Sequence, residues 1–228
     1  LRDEKEKVEL SNRLRCLTLL EAIFNSSKRT SLLPNQIVLM TILPLLRSRT
    51  ELSRSLASGG DISKKGLSKE KKSMLDKLTS LLQNKISKSH LDGNANIDAC
   101  QVVAEQILVE LGRVQEAEHC KCCSSLLVLL VKAISKQKDE TVNFAKEIFE
   151  KAVVEWSTKK NTKLQSVVFD DLVTKCESIA KAVLTKPLIT SAQEGRNTFL
   201  RSESFRILSS IYNTTKTAEE AIDILKAN

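Results

Sequence analysis

Aromatic residues are scarce in this chain: one Trp, one Tyr and six Phe in 228 residues, with none between Lys28 and Lys88. Surfaces that read single-stranded bases stack them on aromatic rings, so that stretch is not expected to read sequence. Only six Gly and three Pro are present, which leaves few helix breakers and few turn formers. The longest uninterrupted apolar run, Leu126 to Val131, falls far short of the roughly 20 residues a membrane helix needs. Histidine occurs twice, at His90 and His119. There is no G-x-S-x-G elbow, no P-loop and no Gly-rich phosphate cradle. The chain therefore offers no assembled catalytic site and is expected not to be an enzyme or to carry a cofactor.

What remains is helix chemistry. Leu, Ile, Val, Ala, Lys and Glu predominate, residues that keep most of their side-chain freedom in a helix. A composition of 41% hydrophobic and 28% charged residues describes a soluble globular protein. The length suffices for a sizeable core. Six cysteines occur, Cys16, Cys100, Cys120, Cys122, Cys123 and Cys176. Three cluster and three are scattered on apolar faces, unlike a small secreted disulfide scaffold, so a reducing compartment is expected. Leu1-Arg2-Asp3 does not open a signal peptide and reads as the start of a piece from a longer protein.

Along the chain, apolar residues recur at three- and four-residue steps. Val8, Leu10, Leu14, Leu17, Leu20 and Phe24 predict a helix over 3–25. A break at Ser26-Ser27 precedes a second helix, with Pro34 in its first turn and Pro44 expected to kink it. Residues 53–68, rich in Ser, Gly and Lys, read as a flexible basic linker. Leu75, Leu78, Leu82 and Ile86 predict a third helix over 68–89. After the turn formers of 91–96, helices are expected over 97–116, 118–136, 139–156, 162–172, 173–185, 198–212 and 218–225. No stretch alternates with period two for long enough to argue a sheet. The expectation is one all-α domain over 1–228: an α-solenoid-like array of HEAT or armadillo type, with about ten antiparallel helices.

Two constellations invite chemistry. His119-Cys120-Lys121-Cys122-Cys123 resembles half of a zinc site, with His119 and Cys123 on one helical face. The second ligand pair is missing, and the alternative is buried thiols opening a core helix. Asp170-Asp171 is the one adjacent aspartate pair. Neighbours on a helix do not face each other, so surface charge explains it without metal chemistry. Trp156 lies on an apolar stripe and reads as core.

Charge is concentrated. Between Lys28 and Lys88 lie thirteen Lys/Arg against four Asp/Glu, a surplus of nine in a chain of net charge +8, so the remainder carries −1. A local field of this kind selects anionic partners. The candidate nucleic-acid or acidic-partner residues are Arg47, Arg49, Arg54, Lys64, Lys65, Lys69, Lys71 and Lys72. Without aromatics among them, contact is expected with the phosphate backbone.

Leu14-Arg15-Cys16-Leu17-Thr18-Leu19-Leu20-Glu21 is followed by a Pro-containing helix, a basic linker and Leu78…Leu82…Lys85-Ile86. This order resembles the late region of the Myb-binding protein 1A / DNA polymerase V (polymerase phi) family. So does Glu155-Trp156-Ser157-Thr158-Lys159-Lys160-Asn161-Thr162-Lys163-Leu164-Gln165 with Phe169 beyond it. The resemblance implies the C-terminal part of a long helical-repeat protein of the nucleolus or nucleus. It further implies a non-catalytic scaffold in ribosome biogenesis and rRNA transcription. Its implied partners are rRNA, rDNA or pre-ribosomal proteins and, in some members, transcription factors, with no membrane. The alternative is a protein–protein adaptor, binding a transcription factor or an acidic peptide without touching nucleic acid.

Overall fold

A computed structural model describes residues 2–30, 33–58 and 65–213. Among the described residues there are nine α-helices and no strand. They are α1 (Arg2–Thr30), α2 (Asn35–Ala57), α3 (Lys65–Ser80), α4 (Ile97–Leu111) and α5 (Ala117–Ala133). After them come α6 (Lys138–Thr158), α7 (Val167–Lys175), α8 (Glu177–Glu194) and α9 (Thr198–Asn213).

The apolar periodicity explains which faces turn inward. Leu10, Leu17 and Phe24, seven residues apart, form the buried edge of α1. In α3 the chain continues into one π turn, Leu81–Lys85, and a 3₁₀ turn, Ile86–Lys88. Those turns let Leu78, Leu82 and Ile86 all stay fully buried. Helix α5 is apolar nearly all round, as a central helix must be. Only Lys121 and Lys132 among its residues from His119 onward face solvent.

The principal contacts run between helices one or two places apart in the chain. Helix α3 packs on α1 and α2, α4 on α2, and α5 on α4 and the turns that extend α3. Further along, α6 packs on α4, α7 on α5, α8 on α6 and α7, and α9 on α7 and α8.

The connection between the α3 extension and α4 is fixed by hydrogen bonds to the far end of α5. Ala95 N–H donates to the Ala133 carbonyl at 2.8 Å, and Lys136 N–H to the Gly93 carbonyl at 3.0 Å. Gly93 takes φ +80°, a left-handed conformation that a side chain would strain. Asn96 then caps α4, its Oδ1 accepting from Ala99 N–H at 2.8 Å.

Several boundaries differ from the sequence reading: α1 runs through the break expected at Ser26-Ser27 to Thr30, and α4 ends at Leu111. Residues 53–57 belong to α2 and residues 65–68 to α3, so the linker expected over 53–68 is shortened at both ends. Leu52 and Ser53 are buried against the fold, and that packing overrides the Ser-rich local composition. Residues 59–64 lie outside the described residues, as does the helix expected over 218–225. Residues 162–166 are not helical. The break between the two helices expected over 162–172 and 173–185 falls at Cys176, with φ −143° and ψ 55°, instead of between 172 and 173, and the second of them does not end before Pro187. Helix α8 runs through Pro187, whose ring is buried alongside Val183, Leu184 and Leu188. Burial of that face offsets the hydrogen bond that proline forfeits.

Candidate nucleic-acid interface and the buried network behind it

The eight candidate cations separate into distinct environments. Arg54, in the last turn of α2, is exposed, and so are Lys69 and Lys72 on the outer face of α3. Among the described residues none of these three has a carboxylate within ion-pair distance. Lys65 opens α3, and Lys64 lies outside the described residues. Arg54 thus stands at the end of α2, and Lys69 and Lys72 in the first half of α3.

The other three, Lys71, Arg47 and Arg49, are engaged elsewhere. Lys71 turns toward α1, its Nζ 2.7 Å from Glu6. Lys77 makes a parallel contact one and a half turns on, 3.5 Å from Glu21 and 2.8 Å from Thr18 Oγ1. Arg47 is exposed but tied to α4, donating to Gln106 at 2.9 Å and lying 3.9 Å from Glu110.

Arg49 overturns its expectation. It is 1% exposed and cannot meet a phosphate. The physical reason lies in its register: Ile42, Leu46, Arg49 and Ser53 follow one another at helical spacing along the inward face of α2. A cation in that position must be paired or hydrogen-bonded to be tolerated. Its Nε donates to Thr79 Oγ1 at 2.9 Å, and its Nη1 to Nδ1 of His119 at 2.9 Å. Its Nη2 lies 3.4 Å from Glu116, which also accepts from Ser53 Oγ at 2.8 Å.

His119 is fully buried, and its hydrogen bonds define its tautomer. Since Nδ1 accepts from Arg49, Nε2 carries the proton and donates to the Glu110 carbonyl at 2.9 Å. That carbonyl belongs to the last turn of α4 and also accepts from Arg113 N–H at 3.0 Å. Burial is the main cause that lowers the His119 pKa from its ordinary value of 6.5. The neighbouring Arg49 charge acts in the same direction, opposed by the Glu110 carbonyl and by Glu116 and Glu110. The sequence marks His119 only as part of a half zinc motif with its second ligand pair missing, and carries no sign of Thr79, Glu110 and Glu116 as its network. The detectable signal was Arg49 itself, a cation in phase with an apolar stripe.

The cysteine cluster has the chemistry of packing. Cys123 Sγ lies 3.7 Å from His119 Nε2, already committed to Glu110. Burial pushes Cys100, Cys120 and Cys122 up to about 11, and Cys123 also well above the ordinary thiol value. Zinc ligation and nucleophilic catalysis both use the thiolate, which these environments disfavour. Among the described residues no three His, Cys, Asp or Glu side chains gather as a metal site.

Asp170 and Asp171 diverge as neighbouring helical residues must. Asp170 forms a two-pronged pair with Arg206 of α9 at 3.0 and 2.8 Å. Asp171 accepts from Ser124 and Ser125 of α5 at 2.9 and 3.1 Å. Trp156 packs edge-on against Phe169, with ring centroids 5.3 Å apart. A cleft of about 840 Å³ lies between the 94–98 segment and the start of α6. Asn96, Gln101 and Gln137 line it with Asp98, Glu140 and Glu147, so its charge would repel an acidic peptide.

The fold thus defines an all-helical protein whose packed core encloses a polar network, with Arg54 at the end of α2 and Lys69 and Lys72 on α3 exposed. Among the described residues no helix is long and apolar enough to cross a membrane. Comparison with protein-family models, curated proteins and solved structures returned no match.

Proposed function

We propose that this chain is a non-catalytic nucleolar scaffold of ribosome biogenesis and rRNA transcription that holds rRNA through its phosphate backbone. The observation that carries the reading is the exposure of Arg54, Lys69 and Lys72 without carboxylate partners among the described residues, with Lys64 and Lys65 between them in the sequence. Unpaired cations release counterions when they meet phosphates, and that release drives binding. The absence of aromatics from 28–88 suits contact with the backbone. The nucleolar placement follows the polymerase phi resemblance.

The scaffold is a HEAT or armadillo-type solenoid. Support comes from the packing order, in which α2, α4, α6 and α8 follow one another as one file and the odd-numbered helices as the other. An acidic-peptide adaptor is less well served, since the broad cleft carries Asp98, Glu140 and Glu147.

The test is binding of the chain to an rRNA fragment, followed by fluorescence anisotropy across salt concentrations. Five phosphate contacts to a single strand give a log–log slope of about −3.5. Reversing Arg54, Lys64, Lys65, Lys69 and Lys72 to Glu should abolish most of the affinity. Unchanged affinity in that variant rejects the reading.

A further inference from the structure

Ser68 stands among the free cations. It is the fourth residue of α3, its side chain is exposed, and its hydroxyl has no hydrogen-bond partner among the described residues. Lys72 lies four residues after it, a spacing that brings helical side chains together, and Lys65 precedes it by three in the sequence. Lys69 follows directly. The first turn of α3 holds a lysine and no acidic residue, the wrong sign for the positive end of a helix.

We propose that Ser68 is a phosphorylation site for a basic-directed serine/threonine kinase, and that its phosphate switches off the anionic dock. The second half rests on the reading under Proposed function; the first half does not. Ser68 Oγ attacks the γ-phosphorus of ATP, the bond to the β-phosphate oxygen breaks, and ADP leaves. The hydroxyl proton passes to the kinase's catalytic base.

Two consequences share one cause. A phosphoserine carries about −1.5 to −2 charges at neutral pH, against the three lysines at 65, 69 and 72. Its oxygens pair with Lys72 one turn on, occupying a cation that would otherwise meet RNA. At the same time the phosphate supplies the missing negative charge at the start of α3, so the first turn is stabilised. Ser73 is exposed too, but it lies mid-helix with Glu70 three residues before it. A kinase needs an extended segment, and the first turn of a helix opens far more readily than its middle.

The full chain would be incubated with a basic-directed kinase and Mg-ATP, the modified residue located by mass spectrometry, and RNA affinity measured before and after. One phosphate at Ser68 is expected, absent from Ser68→Ala and retained in Ser73→Ala. Neutralising two cations should make the salt slope shallower by about 1.4 and lower affinity at least tenfold at low salt. Modification elsewhere, or none, overturns the site. Phosphate at Ser68 with unchanged affinity, while Lys69→Glu and Lys72→Glu still weaken binding, overturns the switch. If the unmodified chain binds no RNA, the docking reading and the switch fall together. The site is then judged by phosphate position and by helix content in circular dichroism, which should rise on modification.

Discussion

Arg49 Nη1 lies 2.9 Å from His119 Nδ1, so a guanidinium and a neutral imidazole share the interior between α2 and α5. The same guanidinium reaches Thr79 and Glu116, joining the α2, α3 and α5 corner through one side chain. Arg49→Ala removes three contacts at once and leaves half-buried Thr79 and buried His119 without their partner. The expected loss is about 3–5 kcal/mol of folding stability, measured by urea denaturation. Arg49→Met fills the space without the charge and should cost clearly less. Because Arg49 never meets solvent, folded Arg49→Met should bind RNA as the parent does.

The same contact sets a pH dependence. His119 is held neutral in the fold, with its pKa lowered from 6.5 chiefly by burial. The unfolded chain therefore binds this proton more readily than the folded one. Stability from His119 is fully present above pH 6.5 and is lost as pH falls from there through the lower folded value. Protonation would set an imidazolium against the Arg49 guanidinium, with Glu116 and Glu110 nearby as the opposing charges. Urea midpoints between about pH 5 and 7 should fall with acidification, before most carboxylates titrate. His119→Gln should flatten that limb, and an unchanged slope in this variant would remove His119 as its cause.

Much of the fold was legible because the core obeys helical spacing. Leu10, Leu17 and Phe24, and likewise Leu78, Leu82 and Ile86, stand as stripes in the sequence itself and are buried in the fold. The ends of elements were less so. Pro187 looked like a terminator, yet its burial keeps α8 continuous. Ser53 looked like linker, yet it is bonded to Glu116, 63 residues away. Such long-range partners leave no local mark. The candidate site was legible as a charge excess but not as a surface. Composition counts Arg49, Lys71 and Lys69 alike, and only packing shows the first buried, the second paired and the third free.

That distinction ranks the lysines of α3. Lys71 already holds Glu6 at 2.7 Å and is only 22% exposed. Engaging a phosphate would require giving up that pair, so its net gain is small. Lys69 and Lys72 have nothing to give up. Single alanine variants should lower RNA affinity in the order Lys72 and Lys69 well above Lys71, with each of the first two reducing the salt slope by about 0.7. Lys71→Ala should instead act on the α1–α3 seam, by less than about 1 kcal/mol of stability. Equal losses of affinity at all three positions would mean that charge alone, without exposure, governs the surface.

The thiols give an independent reading of the interior. Cys16 is exposed, Cys176 is half-buried, and Cys100, Cys120, Cys122 and Cys123 are buried. Reactivity needs both access and thiolate, and burial withholds both from the inner four. Their elevated pKa values leave them protonated throughout the neutral range. Alkylation of the native chain at pH 7.5 should therefore show one fast thiol, abolished by Cys16→Ser, with Cys176 slower and the remaining four modified only after denaturation. The inner four should react at the rate of global opening, and Arg49→Ala should accelerate them in proportion to its lost stability. A fast second thiol within 120–123 would place that cluster in an open site and contradict a packed start to α5.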